Sequence, residues 1–241
     1  MYPIAILAGG LATRLKPVTE KIPKSLVLVS NVPCIDLQLQ LLSKSGFTDV
    51  VLLVGHLGEM IESHVGDGQR YGVSVTYSYD GAISLGTGGA ISRALPLLGE
   101  NFCVTYGDSY LPMDYKAASR KFRESGKAGL MSIYRNLNPN HRNNVEYSKG
   151  EIKNYSKINF SESMHFIDYG FSIFNKSAFD DYLDIGTLDL AVVSENLSTI
   201  SQLEAFEVNE TFYEIGSFEG IQNLNLKLEK EKNELYKATF N

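Results

Sequence analysis

The sequence has few cysteines and no long apolar run. Only Cys34 and Cys103 occur among its 241 residues, and both stand in apolar surroundings, so we expect buried thiols of a reducing compartment rather than a disulfide framework. No run approaches the length of a transmembrane helix. Residues 1–3 lead into a strand pattern without a secretory signal. A soluble cytoplasmic protein without a membrane partner is therefore expected.

Several signatures of other protein classes are also missing. The 22 basic and 28 acidic residues give a formal net charge of −6, which provides no general reason to bind nucleic acid or an anionic membrane. The Gly-x-Ser-x-Gly pattern of a serine nucleophile is absent. No repeat, low-complexity tract or linker divides the chain, so a single domain over 1–241 is predicted. The four histidines show no metal-ligand spacing: His56, His64, His141 and His165.

The first half of the chain alternates strand and helix patterns. Short apolar runs that end at glycine or a turn residue predict strands at 2–8, 49–54, 74–79 and 102–106. Helical patterns lie between them at 33–44, 56–65 and 87–98. This alternation predicts an α/β fold, Rossmann-like, with a mainly parallel sheet flanked by helices. Ligands of such sheets bind at the carboxyl ends of the strands.

The second half is less regular and predicts a small β insertion in a mixed sheet. Strands are expected at 127–134 and 165–174, with a hairpin between 145–147 and 151–155 that turns at Ser148-Lys149-Gly150. Helices are expected at 189–199 and 218–234. The Lys/Glu run of the last helix indicates a solvated helix face rather than a binding tail.

A glycine pair and three cations follow the first predicted strand. Gly9-Gly10 lets the backbone approach a ligand closely, and Arg14, Lys16 and Lys24 come soon after. Cations just past such a turn suit a polyphosphate, which needs donors from several directions. Gly-Gly alone is typical of a surface turn, but the combination indicates a phosphate site.

This segment resembles the signature loop of sugar-1-phosphate nucleotidyltransferases, Gly-Gly-x-Gly-Thr-Arg-Leu-x-Pro followed by Pro-Lys, with Ala12 in place of the third glycine. The resemblance implies an enzyme that joins an NTP and a sugar 1-phosphate into an NDP-sugar and pyrophosphate. It assigns Arg14 to the β- and γ-phosphates and Lys24 to the α-phosphate and the incoming phosphate. The residues implied to contact the nucleotide here are Leu7, Ala8, Gly9, Gly10, Thr13 and Arg14.

A second glycine-rich segment, Leu85-Gly86-Thr87-Gly88-Gly89-Ala90, opens a predicted helix. Small residues there permit close backbone approach, and the free amides of a helix start attract negative charge, although the pattern alone is weak. The segment resembles the family's nucleoside-binding motif at the corresponding point of the chain. The resemblance implies nucleotide contacts from Gly86, Thr87 and Gly88.

Two acidic positions carry the metal prediction. Asp108 comes soon after the strand 102–106, at a position where an acidic residue usually does no more than cap a turn. In the family, however, the aspartate of a Gly-Asp pair at this point holds Mg²⁺, a cation that prefers oxygen ligands. Residues 212–217 resemble the family's Asp-x-Gly-Thr segment, with Glu214 in the aspartate place. The resemblance implies Mg²⁺ as cofactor on Asp108 and Glu214. Alternatively, Ser217 only caps the last helix.

The implied sugar site departs from the family pattern. Asp168, Tyr169 and Gly170 stand where the family contacts the sugar, and Lys157 retains the cation that holds the sugar phosphate, but Ser156 replaces the usual glutamate. These departures leave the sugar open. The resemblance thus divides the domain into a nucleotide-binding half, about 1–126, and a sugar-binding half with the C-terminal helix, about 127–241.

The chain length and the second glycine motif look most like the mannose- or heptose-1-phosphate guanylyltransferases of bacterial surface-polysaccharide pathways, which predicts GTP. Cytidylyl, uridylyl or thymidylyl transfer stays open, as does homo-oligomerisation. A GT-A-like glycosyltransferase is a rival, but residues 107–110 lack its Asp-x-Asp motif. A non-catalytic nucleotide sensor is a second rival, since such a protein would keep the fold but lose metal ligands, and Glu214 here replaces the usual aspartate.

Overall fold

The structure, a computed structural model, describes residues 1–10, 21–138, 142–183 and 185–240, with 233–240 as helical backbone. Its strands are β1 (Ile4–Leu7), β2 (Leu28–Val29), β3 (Val32–Pro33), β4 (Asp49–Val54), β5 (Ser74–Tyr79), β6 (Asn101–Tyr106), β7 (Ser109–Tyr110), β8 (Gly129–Arg135), β9 (Val145–Ser148), β10 (Glu151–Tyr155), β11 (Phe166–Asn175), β12 (Leu203–Val208) and β13 (Tyr213–Glu214). The helices are α1 (Cys34–Lys44), α2 (Gly58–Val65), α3 (Gly86–Ala94), α4 (Tyr115–Ser125), α5 (Leu190–Thr199) and α6 (Phe218–Phe240).

A nine-stranded mixed sheet forms the centre of the described structure. Strands β6, β1, β4 and β5 are neighbours in that order and all parallel. Strand β11 runs antiparallel beside β6 and also pairs with β8, whose other neighbour β12 is parallel to it. The β9–β10 hairpin extends the sheet next to β11. The predicted α/β class, with a mainly parallel sheet flanked by helices, is confirmed.

Helices cover both faces of the sheet. Alternation along β1 sends Ala5 to one face and Ile4 and Ile6 to the other. The first face packs against α3 and α5, and the second against α1, α2 and α4. Burial on two faces explains why the central strands read as continuous apolar runs.

A third, small apolar cluster connects distant segments near one end of the sheet. Val27, Val29 and Cys34 pack with Tyr110, Ile215 and Leu224. This packing brings the β2–β3 hairpin, the β7–β13 pair and α6 together. Cys34 here and Cys103 in β6 are free thiols with no exposed surface, as the sequence predicts.

Several elements escaped the sequence prediction, and one helix is shorter than predicted. The missed elements are the two-residue strands β2, β3, β7 and β13, the longer strand β12, and α4. Helix α4 has an ordinary N-cap, since Asp114 accepts the Ala117 amide at 2.9 Å. Helix α3 ends at Ala94 because Pro96 cannot donate an amide to the helical ladder. Across the described ranges, no helix has the combination of length and apolar character that crossing a bilayer requires.

Candidate functional site

A cleft of about 340 Å³ opens at the carboxyl ends of the parallel strands. It receives residues from six separate parts of the chain, including the end of β1, the turn after β6 and the start of α3. The cleft therefore lies where ligands of parallel α/β sheets bind. The predicted site residues that line it are Leu7, Ala8, Gly9, Gly10, Lys24, Gly86, Thr87 and Asp108.

The two glycines after β1 have different surroundings. A Cβ at Gly9 would lie 3.1 Å from the amide nitrogen of Gly55, so glycine permits the close approach of the ends of β1 and β4. A Cβ at Gly10 would meet no described atom within 4 Å, so this position faces open space at the cleft. The predicted phosphate-binding residues Thr13 and Arg14 lie outside the described residues, as does His141.

Lys24 and Asp108 form an ion pair in the cleft. Lys24 begins a short 3-10 turn, Lys24–Leu26, after the extended residue Pro23, and Asp108 follows β6. Their side chains are 17% and 26% exposed, respectively, so the two charges interact where water screens them incompletely. Lys24 and Asp108, to which the resemblance assigns roles in the same reaction, are therefore in direct contact.

Glu214 lies next to the Asp108 turn. Its strand β13 pairs antiparallel with β7, which sets Glu214 opposite Ser109, and the Ile215 amide donates to the Asp108 carbonyl at 2.9 Å. From the position that a Cβ would occupy at Gly216, Glu214 Oε1 is 2.6 Å away and Lys24 Nζ is 3.3 Å away. Because Gly216 has no side chain, the carboxylate of Glu214 and the ammonium of Lys24 can both approach this position.

The oxygens at this point fit a magnesium ion. Mg²⁺ in substrate sites is usually held by one or two carboxylates together with phosphate oxygens and water, and Asp108 and Glu214 supply two carboxylates. No group of three or more His, Cys, Asp or Glu side chains gathers as a metal site in the described part of the chain. Ser217 Oγ accepts the Gly220 amide at 3.1 Å, as an N-cap of α6 does. Capping by Ser217 is thus compatible with a Glu214 that lines the adjoining pocket, which shares Gly216 with the cleft.

The glycines of the second motif pack against the segment that precedes α5. Gly86 has φ +70°, and a Cβ there would lie 2.5 Å from the Leu188 carbonyl oxygen. The same carbonyl accepts the Gly88 amide at 2.8 Å. Only Gly86 and Thr87 of the three predicted nucleotide-binding residues line the cleft, while Gly88 is buried under Leu188. Glycine in this motif therefore serves chain packing as well as access to the cleft.

Lys157 is held by an acid that the sequence interpretation missed. Its ammonium lies 3.1 Å from Asp189 Oδ1, the same oxygen that accepts the Thr87 hydroxyl at 3.2 Å. Burial alone would raise the pKa of Asp189, but the Ala191 amide and Lys157 lower it below its ordinary value. Through Asp189, Lys157, the cation expected to bind the sugar phosphate, is connected to Thr87 at the start of α3.

The Asp168-Tyr169-Gly170 segment divides between two environments. Asp168 is half-buried and accepts the Gly170 amide at 2.9 Å, and burial raises the pKa of its carboxyl. A Cβ at Gly170 would approach the Tyr106 ring at 3.7 Å, next to the Asp108 turn. Tyr169 is only 2% exposed and packs against Tyr134 and Phe212 in the core, so its side chain does not reach the described cleft.

Asp80 is a cleft residue that the sequence analysis did not single out. It directly follows β5 and lines the cleft although it is only 8% exposed. Its Oδ2 lies 3.5 and 3.4 Å from the Cβ positions of Gly9 and Gly55 and accepts the Leu85 amide at 3.4 Å. Burial raises the pKa of this carboxyl. The available signal was an acid at the carboxyl end of a predicted parallel strand.

The family model for nucleotidyl transferases matches residues 4–184. The chain belongs to this family. The predicted recognition of a sugar-1-phosphate nucleotidyltransferase is therefore confirmed at the level of the family. The match includes the glycine turn, Lys24 and Asp108, so all of the cleft lining except Gly216 lies within the matched residues.

Named relatives of this nucleotidyltransferase chain differ in nucleotide and sugar. It is 43% identical over 114 residues to the N-acetylmuramate alpha-1-phosphate uridylyltransferase of Neisseria meningitidis serogroup B, covering 47% of this chain and 49% of that protein. It is 36% identical over 112 residues to the D-glycero-alpha-D-manno-heptose 1-phosphate guanylyltransferase of Aneurinibacillus thermoaerophilus, covering 46% and 48%. The chain spans about a third to a half of the length of the first curated relatives that it matches.

Several solved structures resemble nearly the whole chain. The crystal structure of HddC from Yersinia pseudotuberculosis complexed with GMP-PN is 26% identical, has a TM-score of 0.79, and the match covers 95% of this chain and 100% of that one. The fold of the chain, including its second half, is therefore shared with a protein whose structure was solved in complex with GMP-PN.

Proposed function

We propose that the chain is a sugar-1-phosphate nucleotidyltransferase that joins GTP and mannose- or heptose-1-phosphate into a GDP-sugar and pyrophosphate. The observation that carries the proposal is the ion pair of Lys24 and Asp108, which faces a cleft bordered by the Gly9-Gly10 turn. The free, buried Cys34 and Cys103 support a reducing, cytoplasmic location.

The reaction needs charge neutralisation more than proton transfer. An oxygen of the sugar phosphate forms a bond to the α-phosphorus of the NTP, while the bond to the leaving pyrophosphate breaks and the pyrophosphate takes the electron pair. A phosphate monoester is already anionic at neutral pH, so no side chain has to remove a proton. The protein has to hold two repelling anions together and stabilise the charge that develops between them. The ammonium of Lys24 is suited to this position.

Two carboxylates, Asp108 in the lining of the cleft and Glu214 in the adjoining pocket, fit a divalent cation. Asp108 and Glu214 would hold Mg²⁺ beside the Gly216 gap. A bound Mg²⁺ supplies electrophilic polarisation of phosphate oxygens. Asp108 also keeps Lys24 oriented toward the cleft when substrate is absent, and the open space at Gly10 leaves room for the phosphates.

The buried carboxylate of Asp80 supports a guanine base. An ionised carboxylate only accepts hydrogen bonds, and guanine offers two adjacent donors, N1–H and the N2 amino group, on one edge. Uracil and thymine offer a single N–H on the corresponding edge. The guanylyltransferase relative and the HddC complex with GMP-PN point in the same direction. Uridylyl transfer is the second candidate, because the Neisseria relative is a uridylyltransferase.

A substrate panel tests activity, base and sugar together. Purified protein with Mg²⁺ is incubated with each common NTP and a series of sugar 1-phosphates, and pyrophosphate release is measured. The proposal expects release with GTP and a mannose- or heptose-type phosphate. Release with UTP alone would favour the second candidate. A glycosyltransferase or a nucleotide sensor would release no pyrophosphate with any pair, which would overturn the proposal.

The Asp80→Asn variant tests the base assignment separately. It should lose part of the preference for GTP over the other NTPs while keeping pyrophosphate release. Asp49→Asn is the matched control, because Asp49 begins the neighbouring strand β4 at the end of the sheet opposite the cleft. An unchanged GTP preference in Asp80→Asn would remove Asp80 from base recognition.

A further inference from the structure

A buried glutamine spans the turn that carries Asp108. Gln38 lies on the inner face of α1 and is only 3% exposed. Its Nε2 donates to the Tyr106 carbonyl oxygen at 2.8 Å and to the Ser109 carbonyl oxygen at 2.9 Å. These two carbonyls stand immediately before and after Gly107 and Asp108, so a single amide group ties both ends of the turn.

The other hydrogen bonds that reach the backbone of this turn from distant segments come from the main chain. The Gly107 amide donates to the Leu7 carbonyl at 2.9 Å, and the Asp108 carbonyl accepts the Ile215 amide at 2.9 Å. Among the described residues, Gln38 is the only side chain of another element that bonds the backbone of residues 106–109. The turn is thus held from β1, from β13 and, through Gln38, from α1.

Helix α1 is also joined to the segment that carries Lys24. The Cys34 amide, at the start of α1, donates to the Val27 carbonyl at 3.0 Å, and the Val27 amide donates to the Lys24 carbonyl at 3.0 Å. A short chain of hydrogen bonds therefore runs from Lys24 to α1, and Gln38 continues it to the Asp108 turn. This connection links the two backbone segments that carry the cation and the acid.

The polar contacts of Gln38 are directed entirely to that turn. In the described parts of the chain, its Oε1 is buried and has no hydrogen-bond partner. Buried polar atoms are seldom left unpaired, and an apolar side chain of the same size would avoid an unpaired atom here. The donor half of the amide is thus the part of Gln38 that the structure uses.

We propose that Gln38 is a positioning residue for the nucleotidyl transfer: by bridging the Tyr106 and Ser109 carbonyls, it holds the Asp108 carboxylate at Lys24 in the geometry that the reaction requires. The inference rests on the proposed function. Gln38 has no contact with the cleft itself and acts through the turn. A displacement of about 1 Å at reacting groups can lower a rate by about 10²-fold.

Gln38→Met tests this role, because methionine keeps the side-chain length and removes both donors. The expected result is a kcat lowered by about 10²-fold with the KM for the NTP changed little, since the loss concerns alignment rather than binding. Gln40→Met is the matched control, with the same chemical change on the exposed face of α1, and it should keep the wild-type kcat. Gln38→Glu should also lose kcat, because it sets an acceptor against two carbonyls.

A stability control separates positioning from general damage. Leu42→Ala empties part of the core beneath the same helix and should lower the melting temperature while kcat per folded molecule stays near wild type. Both variants are assayed well below their melting temperatures. A near-wild-type kcat in Gln38→Met, or a kcat in Leu42→Ala that falls as far as that of Gln38→Met, would overturn the inference.

Hydrogen exchange supplies a readout that does not depend on activity. The amides of residues 107–111 and Ile215 should exchange faster in Gln38→Met than in wild type or Gln40→Met. If wild type releases no pyrophosphate with any substrate pair, the proposed function fails, and unchanged exchange would then overturn the bridging role as well. If wild type is active and Gln38→Met keeps both its kcat and its exchange rates, the positioning role alone fails.

Discussion

Lys24 and Asp108 form an ion pair although 84 positions separate them in the sequence. Each comes from a short irregular segment: Lys24 from a 3-10 turn after Pro23, and Asp108 from the turn between β6 and β7. The sheet and α1 hold both segments at the same end of the fold, next to Gly9 and Gly10. The pair is therefore a product of tertiary packing and the centre of the proposed site.

Loss of either member of this pair should nearly abolish turnover without unfolding the protein. Lys24→Ala removes the cation that stabilises the developing charge, and Asp108→Asn removes the acid; loss of one such contact typically costs about 10²–10³ in rate. Pyrophosphate release and circular dichroism are the measurements. Lys153→Ala, which breaks an exposed pair with Glu151 on β10, should leave the rate unchanged. Wild-type activity in either cleft variant would refute the assignment.

Glu214 should determine how much magnesium the reaction needs. Glu214→Gln keeps the size of the side chain and removes its charge, so the Mg²⁺ concentration for half-maximal pyrophosphate release should rise. Glu219→Gln, an exposed acid in the first turn of α6, is the control and should follow the wild-type titration. A superimposable magnesium titration for Glu214→Gln would exclude this carboxylate as a ligand.

Substitution by alanine should lower the free energy of unfolding at Gly86 but not at Gly10. Gly86→Ala places a Cβ 2.5 Å from the Leu188 carbonyl at a positive φ, and strain at such positions costs about 1–3 kcal/mol, so the free energy of unfolding should fall. Gly10→Ala meets no described atom and should unfold like wild type, while nucleotide binding weakens. Denaturant titration and nucleotide affinity distinguish the two. Equal stabilities would contradict the packing role of Gly86.

Asp80 should make the stability of the protein depend on pH. Burial raises the pKa of its carboxyl in the folded state, so the protonated form favours folding and the charged form opposes it as pH rises through the raised pKa. Asp80→Asn should therefore gain melting temperature over wild type, and the gain should be larger at about pH 8 than at about pH 4. Asp49→Asn should give no such trend. A gain independent of pH would mean that the Asp80 charge is not the cause.

Much of the fold followed from local patterns. The strands at 49–54 and 74–79 coincide with β4 and β5. The hairpin turns where predicted, at Lys149-Gly150, with φ values of +53° and +81°, of which only the one at Gly150 is typical of its residue type. Helix α4 could have been found from Asp114 and from Gly126 in the left-handed region. Strand β12 carries acids between its apolar residues and has weaker signals, so its identity depends on pairing with β8.

The sequence by itself determined the alternation of strands and helices, the glycine turns and the family, because these depend on residue type and spacing along a short stretch of chain. Only the tertiary structure decided that Glu214 lies opposite Ser109, that Asp80 enters the cleft, and that Gln38 bridges the Asp108 turn. Such contacts join residues far apart in the chain, and they follow from strand register and helix packing. Periodicity predicts which face a side chain takes, but packing chooses its partner.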